Sequence, residues 1–145
     1  MVTPQLHFSR DEYRARLEKT RSEMHMRNLD LLIVTDPSNM NWLTGYDGWS
    51  FYVHQCVVVT LNGDPIWYGR GQDSKGALRT CFMTPEHIIG YPDHYVQSTE
   101  RHPMDYLSAQ LVDRGLAKGN IGVEMDNYWF TAAAFAALQR HMPEA

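Results

Sequence analysis

The sequence is poor in sulfur chemistry: Cys56 and Cys81 are the only cysteines in 145 residues. No Cys-x-x-Cys pair occurs, which excludes a zinc ribbon and a thioredoxin-type redox motif. Cys56 lies inside the apolar run Gln55–Leu61 with no base beside it, so it reads as a small core residue and not as a nucleophile. The two cysteines are read as buried thiols in preference to a disulfide. No stretch approaches the roughly 18 apolar residues of a membrane span, and Met1–Tyr13 lacks the apolar core of a secretory leader. The expected compartment is therefore cytoplasmic, with no membrane partner. Positive charge is also scarce. Thirteen Lys and Arg stand against 17 Asp and Glu, a net charge of −4, which provides no basic surface for nucleic acid. Gly69-Arg70-Gly71-Gln72-Asp73 lacks both the G-x-G-x-x-G spacing and the Lys-Ser/Thr pair of a phosphate loop. It reads as a turn, with Arg70 a candidate contact for a substrate carboxylate. Repeats, low-complexity tracts and long linkers are missing too, so residues 1–145 are expected to form one domain.

What is present is a regular alternation of helical and strand patterns. Ser9 followed by Glu12 predicts a capping box and a helix to about Arg27, with Tyr13, Leu17, Thr20 and Met24 on its buried face. Arg14, Arg16, Glu18, Lys19, Arg21 and Glu23 form its solvated face, and Asn28 stops it. Leu31–Thr35 reads as a strand buried on both faces. Asp36-Pro37 then opens a short helix that ends at Gly45. Gln55–Leu61 and Ile66–Tyr68, joined by Asn62-Gly63-Asp64-Pro65, predict a hairpin. A helix over Asp73–Cys81 with Asp73 as its cap, a strand over His87–Tyr91 and a polar loop over Pro92–Pro103 follow. A helix from Pro103 to about Asp113 is expected to bury Tyr106, Leu107, Leu111 and Val112 and to end at Gly115. Ile121–Met125 is a strand. Thr131–His141 is a helix with Phe135 and Leu138 inside. The order α-β-α-β-β-α-β-α-β-α predicts an α/β fold. It is a three-layer arrangement with a central mixed β-sheet of about five to six strands flanked by helices.

Four of these segments, in register, resemble the creatinase/prolidase N-terminal domain. They are Leu29–Thr35 after the first helix, Pro37–Tyr46, the hairpin ending Gly63–Trp67, and Ile121–Glu124 followed by a helix and His141–Ala145. Longer runs, Gly45–Gln55, Gly90–Asp105 and Glu124–Phe130, resemble the ectoine hydrolase branch of that family. The resemblance implies a ribonuclease H-like fold. It also implies that the catalytic groups sit on a separate pita-bread domain following residue 145, so this chain carries no catalytic residue, metal ligand or cofactor of its own. Whether that second domain uses a divalent metal is left open. The implied full-length protein is a homodimeric hydrolase that opens the ring of ectoine, a small zwitterion, to N-acetyl-diaminobutyrate. Open alternatives are an Xaa-Pro dipeptidase or aminopeptidase, a creatinase-like amidinohydrolase, and a stand-alone binding domain without an enzyme.

Two constellations suit such a ligand. The first is the loop carrying Tyr46, Trp49, Phe51, Tyr52 and His54, whose aromatic faces attract a delocalised cation. The second runs from Asp93 to Asp105. There His94 is a candidate hydrogen-bond donor and Arg101 a candidate fork for a carboxylate. His87, His94 and His102 match no metal-ligand spacing. In creatinase-type dimers, residues of one N-terminal domain reach the neighbouring subunit's pocket. The candidate substrate-binding set is accordingly Trp49, Tyr52, His54, His94 and Arg101.

Overall fold

The computed structural model describes residues 2–145. Helix α1 spans Arg10–Met26. Strand β1 is Leu31–Val34, α2 is Pro37–Thr44, β2 is Cys56–Thr60 and β3 is Ile66–Arg70. The chain continues with α3 over Ser74–Thr80, β4 over Ile88–Tyr91, α4 over Pro103–Asp113, β5 over Ile121–Val123 and α5 over Ala132–His141. The strands form one mixed sheet in the order β4-β3-β2-β1-β5. β1 pairs antiparallel with β2 and parallel with β5, while β3 pairs antiparallel with β2 and parallel with β4. This is the α/β class and mixed sheet expected, with five strands.

Alternation along the strands divides the core in two, because successive side chains point to opposite faces. Leu31, Ile33, Cys56, Val58, Ile66 and Tyr68 meet Met104, Leu107 and Leu111 of α4 and Ala134, Ala137 and Leu138 of α5. On the other face Val34, Val57, Val59 and Trp67 meet Tyr13, Leu17 and Met24 of α1, Met40 and Leu43 of α2, and Ala77 of α3. Both cysteines are buried and free, and burial pushes both thiols up, that of Cys81 to about 12.

Local signals set the helix ends. Asp36 accepts from the backbone N–H groups of Ser38 (2.8 Å) and Asn39 (3.3 Å), with Pro37 in the first turn. Gly45 closes α2 at φ 85°, where a Cβ would lie 2.7 Å from the Thr80 carbonyl and 2.9 Å from the Tyr13 hydroxyl. Asn28 ends α1 at φ 54°.

Several expectations are corrected. Ser9 accepts from Glu12 N–H at 3.1 Å, but the Glu12 carboxylate turns to Arg16 at 3.0 Å, so the capping box is half made. Arg16 is buried, not solvated. It donates to the Trp42 carbonyl at 3.0 Å, and its guanidinium lies over the Phe8, Tyr13 and Trp42 rings. Asp73 makes no side-chain cap, since the chain enters α3 through a 3-10 turn over Gly71–Asp73. Val112 is exposed, because α4 presents Leu107 and Leu111 to the sheet and Val112 falls on the next face.

Tyr68 shows how the sheet holds α4. Its hydroxyl, fully buried, donates to the Pro103 carbonyl in the first helical turn. Tyr68→Phe is expected to cost about 1–2 kcal/mol, the value of one buried hydrogen bond. Urea denaturation at unchanged m-value checks this, and an unchanged midpoint would show that the bond contributes nothing.

Candidate functional site

Four strands point one way and β2 points the other, so the ends of β1, β3, β4 and β5 and the start of β2 share one rim of the sheet. Ligands in α/β sheets bind outside the carboxyl ends of the strands. On this rim lie Thr35–Asn41, Trp49–Gln55, Arg70–Asp73, Pro92–His102 and Glu124–Trp129.

A cleft of about 190 Å³ opens on the rim between the segment before β2 and the segment before α4. Tyr52 and His54 line one wall, Tyr95, Ser98, Arg101 and His102 the other, and Tyr91 lies between. The Tyr91 hydroxyl donates to the His54 carbonyl at 2.7 Å and so ties wall to floor. The His54 and His102 rings are 4.3 Å apart, tilted by 59°. Burial, with the neighbouring His102 adding to it, lowers the His54 pKa to about 4. Burial also lowers that of His102, with Asp105 pulling it up and Arg140 pushing it down. Both imidazoles are therefore neutral at pH 7.

The second wall is built by short-range bonds. Residues 93–95 make a 3-10 turn and Gln97 adopts φ 53°. The Ser98 hydroxyl accepts from the N–H groups of Glu100 and Arg101, each at 3.1 Å. That turn presents Arg101, whose guanidinium is half exposed and, among the described residues, comes no nearer to a carboxylate than 3.9 Å, at Glu100. The fork of Arg101 is thus unengaged.

Three of the five expected contact residues, Tyr52, His54 and Arg101, come together in this cleft. Trp49 and His94 do not line it. Trp49 is 83% exposed and leans on Phe51, their ring centres 5.8 Å apart. His94 is exposed and packs on Tyr95 at 4.7 Å. Tyr46, read as part of the aromatic wall, is buried instead. It packs on Trp67 at 5.1 Å and bonds Ser50, which in turn donates to Gln55. Burial raises its pKa to about 12. It anchors the loop and does not line the cleft. Arg70 is engaged by Asp93 at 2.9 and 3.2 Å, a bidentate pair that leaves its fork unfit for a substrate carboxylate. The same contact holds the Asp93 carboxyl below its ordinary range.

Sequence reasoning missed the other end of the rim. Glu124, just past β5, accepts from the backbone N–H groups of Thr35 and Asp36 (the latter at 2.8 Å) and from the Asn39 side-chain amide at 2.7 Å. The Asn39 side chain therefore bonds across the sheet. Beside this hub a second cleft, of about 470 Å³, is lined by Asp36, Met125, Asp126, Asn127, Tyr128 and Trp129. Tyr128 is 96% exposed. A carboxylate immediately after a strand was the available signal, but its partners lie 85 to 89 positions away. Among the described residues no group of three or more His, Cys, Asp or Glu is placed to hold a metal ion. No helix is long and apolar enough to cross a membrane.

Residues 16–145 match the family model of the creatinase/prolidase N-terminal domain. Over its whole length the chain is 57% identical to the ectoine hydrolase of Halomonas elongata, of which it covers 37%. An uncharacterized hydrolase/peptidase of Sinorhizobium fredii is 42% identical over 95% of the chain, which covers 36% of that protein. The chain thus spans little more than a third of the length of these two curated relatives. Among solved structures, a proline dipeptidase from Streptococcus pneumoniae superimposes with a TM-score of 0.70 at 20% identity, covering 90% of this chain and 87% of that one. The creatinase/prolidase N-terminal domain of an X-Pro dipeptidase from Streptococcus pyogenes gives 0.69 at 20% identity, covering 89% and 88%. These likenesses establish the fold.

Proposed function

The chain belongs to the creatinase/prolidase N-terminal domain family, and from that premise we propose that it is the pocket-forming, non-catalytic part of a cytoplasmic, homodimeric C–N bond hydrolase that opens ectoine to N-acetyl-diaminobutyrate. The observation that carries this reading is the 57% identity with an ectoine hydrolase across the entire chain. The groups that break the bond are assigned to further polypeptide, matching the part of the relatives that this chain does not cover, and so is any divalent metal.

The chemistry of the cleft fits a small zwitterion. The faces of Tyr52 and Tyr95 suit a delocalised amidinium. The open fork of Arg101 suits a carboxylate, a charge-assisted bidentate pair worth about 1.5–3 kcal/mol. His54, neutral at pH 7, offers a hydrogen bond without adding charge. Trp49 and His94, exposed on this chain, are assigned to contacts across the dimer.

In the full-length protein, Arg101→Ala is expected to raise KM for ectoine by about tenfold to a hundredfold, the range that follows from losing one such pair. Steady-state kinetics measures this, with Xaa-Pro dipeptides as competing substrates. The 145-residue chain alone is expected to show no turnover. Turnover by the isolated chain would move the catalytic groups onto it. Hydrolysis of Xaa-Pro dipeptides without hydrolysis of ectoine would replace the substrate.

A further inference from the structure

Helix α4 is capped by an imidazole. Ser, Thr, Asp and Asn are the usual N-caps because their oxygens accept a hydrogen bond at almost any pH. His102 performs the task with its ring: Nδ1 accepts the Met104 N–H at 3.0 Å. The reciprocal half of the capping box is also present, the His102 N–H donating to Asp105 Oδ2 at 2.8 Å. An imidazole accepts only while neutral, because in the imidazolium both ring nitrogens are donors. With Nδ1 accepting, the ring proton must sit on Nε2, and that atom is buried without a hydrogen-bond partner among the described residues. Protonation of His102 would remove the acceptor from Met104 N–H. It would also place a positive charge against the positive end of the α4 dipole.

The surrounding groups oppose that charge. From the segment before β2, the His54 ring faces His102 at 4.3 Å. The adjoining Arg101 guanidinium lines the same cleft. From α4, Asp105 favours the charged form, but its carboxylate is already engaged by the His102 N–H. From α5, Arg140 at 3.1 Å and His141 at 2.9 Å engage it as well. Tyr91 lies between the walls, and burial raises its pKa, so it adds no charge in acid.

We infer that His102 is a positioning residue that fastens the 95–102 wall of the cleft to α4 only while its imidazole is neutral, so that mild acid releases this wall. Both His54 and His102 have folded-state values below the ordinary 6.5. Protons therefore bind more tightly once the wall has opened, and opening is coupled to proton uptake. The wall is held above about pH 6.5 and is progressively lost as pH falls from there toward the His54 value of about 4. That this wall belongs to a ligand site rests on the function proposed above, but its release is readable without ligand.

The test is hydrogen exchange and NMR titration of the 145-residue chain between about pH 7.5 and 5. Protection of the Met104 amide, corrected for the intrinsic exchange rate, is expected to fall by about tenfold or more over that range, tracking the His102 ring resonances. In His102→Asn, whose amide oxygen accepts at every pH, the fall should be clearly smaller, with only the His54 contribution left. In His102→Ala it should be low throughout. Level protection in the wild type, or an equal fall in His102→Asn, would overturn the inference. A second arm measures ectoine binding by the full-length protein at both pH limits. Affinity is expected to weaken in acid more for the wild type than for His102→Asn, and equal weakening in both would also count against it. Failure to bind ectoine at pH 7.5 would remove the proposed ligand and leave the exchange result to decide the switch.

Discussion

Glu124→Ala is expected to lower the stability of the chain by about 3–4 kcal/mol, a drop in Tm of roughly 10 °C for a domain of this size. The carboxylate joins the end of β5 to the start of α2, beside a weaker link from the Asn127 amide to the Asp36 carboxylate at 3.3 Å. It accepts from Thr35 N–H, Asp36 N–H and the Asn39 amide. Removing it strands two backbone donors at a partly buried position, and each stranded donor costs about 1–3 kcal/mol. Glu124→Gln keeps one oxygen but turns an NH₂ group toward a donor, so about half of that loss is expected. Urea unfolding of both variants with m-values compared gives the answer. Two midpoints within experimental error of the wild type would mean that β5 is held by its ladder to β1 and by α5 alone.

The second large effect is expected from Gly45→Ala, about 3 kcal/mol. Two costs add. A residue with a side chain at φ 85° loses about 1–2 kcal/mol in the left-handed region. The new Cβ would also stand 2.7 Å from the Thr80 carbonyl and 2.9 Å from the Tyr13 hydroxyl. The comparison is Gly63→Ala. Gly63 has φ 77° but nothing within 4 Å of its Cβ, so it should show the conformational cost alone. The difference between the two variants isolates the packing of α1, α2 and α3 around this point, and equal losses would refute the clash. Because Gly45 leads directly into the loop bearing Tyr52 and His54, Gly45→Ala should also weaken ectoine binding in the full-length protein, where Gly63→Ala should not.

How much of this was legible beforehand depends on distance along the chain. Asp36, Pro37 and Gly45 define α2 within ten residues, and their chemistry reads directly. The Asn62–Pro65 turn makes the hairpin equally plain, and the two-faced strands follow from unbroken apolar runs. The fate of a polar side chain is different, because it is decided by groups that arrive from elsewhere. Arg16 carries the spacing of a solvated helix face, yet Trp42 and Phe8 close over it. The amide of Asn39, three residues into the α2 start, goes to Glu124 from across the sheet. In the cleft, Tyr52, His54 and Arg101 were readable as residue types suited to a zwitterion, and the structure gathers them. The role of His102 was not readable, because a helix N-cap filled by an imidazole violates the usual preference and only the Met104 contact reveals it. The Arg70–Asp93 pair was hidden for a similar reason, joining residues on two different strand ends.

The single antiparallel strand among four that agree in direction gives the molecule a workbench and a foundation. Five loops converge on one margin, while Val57, Val58, Tyr68 and Leu107 lie deep on either side of the sheet. A lineage can therefore retool the margin one loop at a time, altering what is grasped there, without disturbing the masonry beneath.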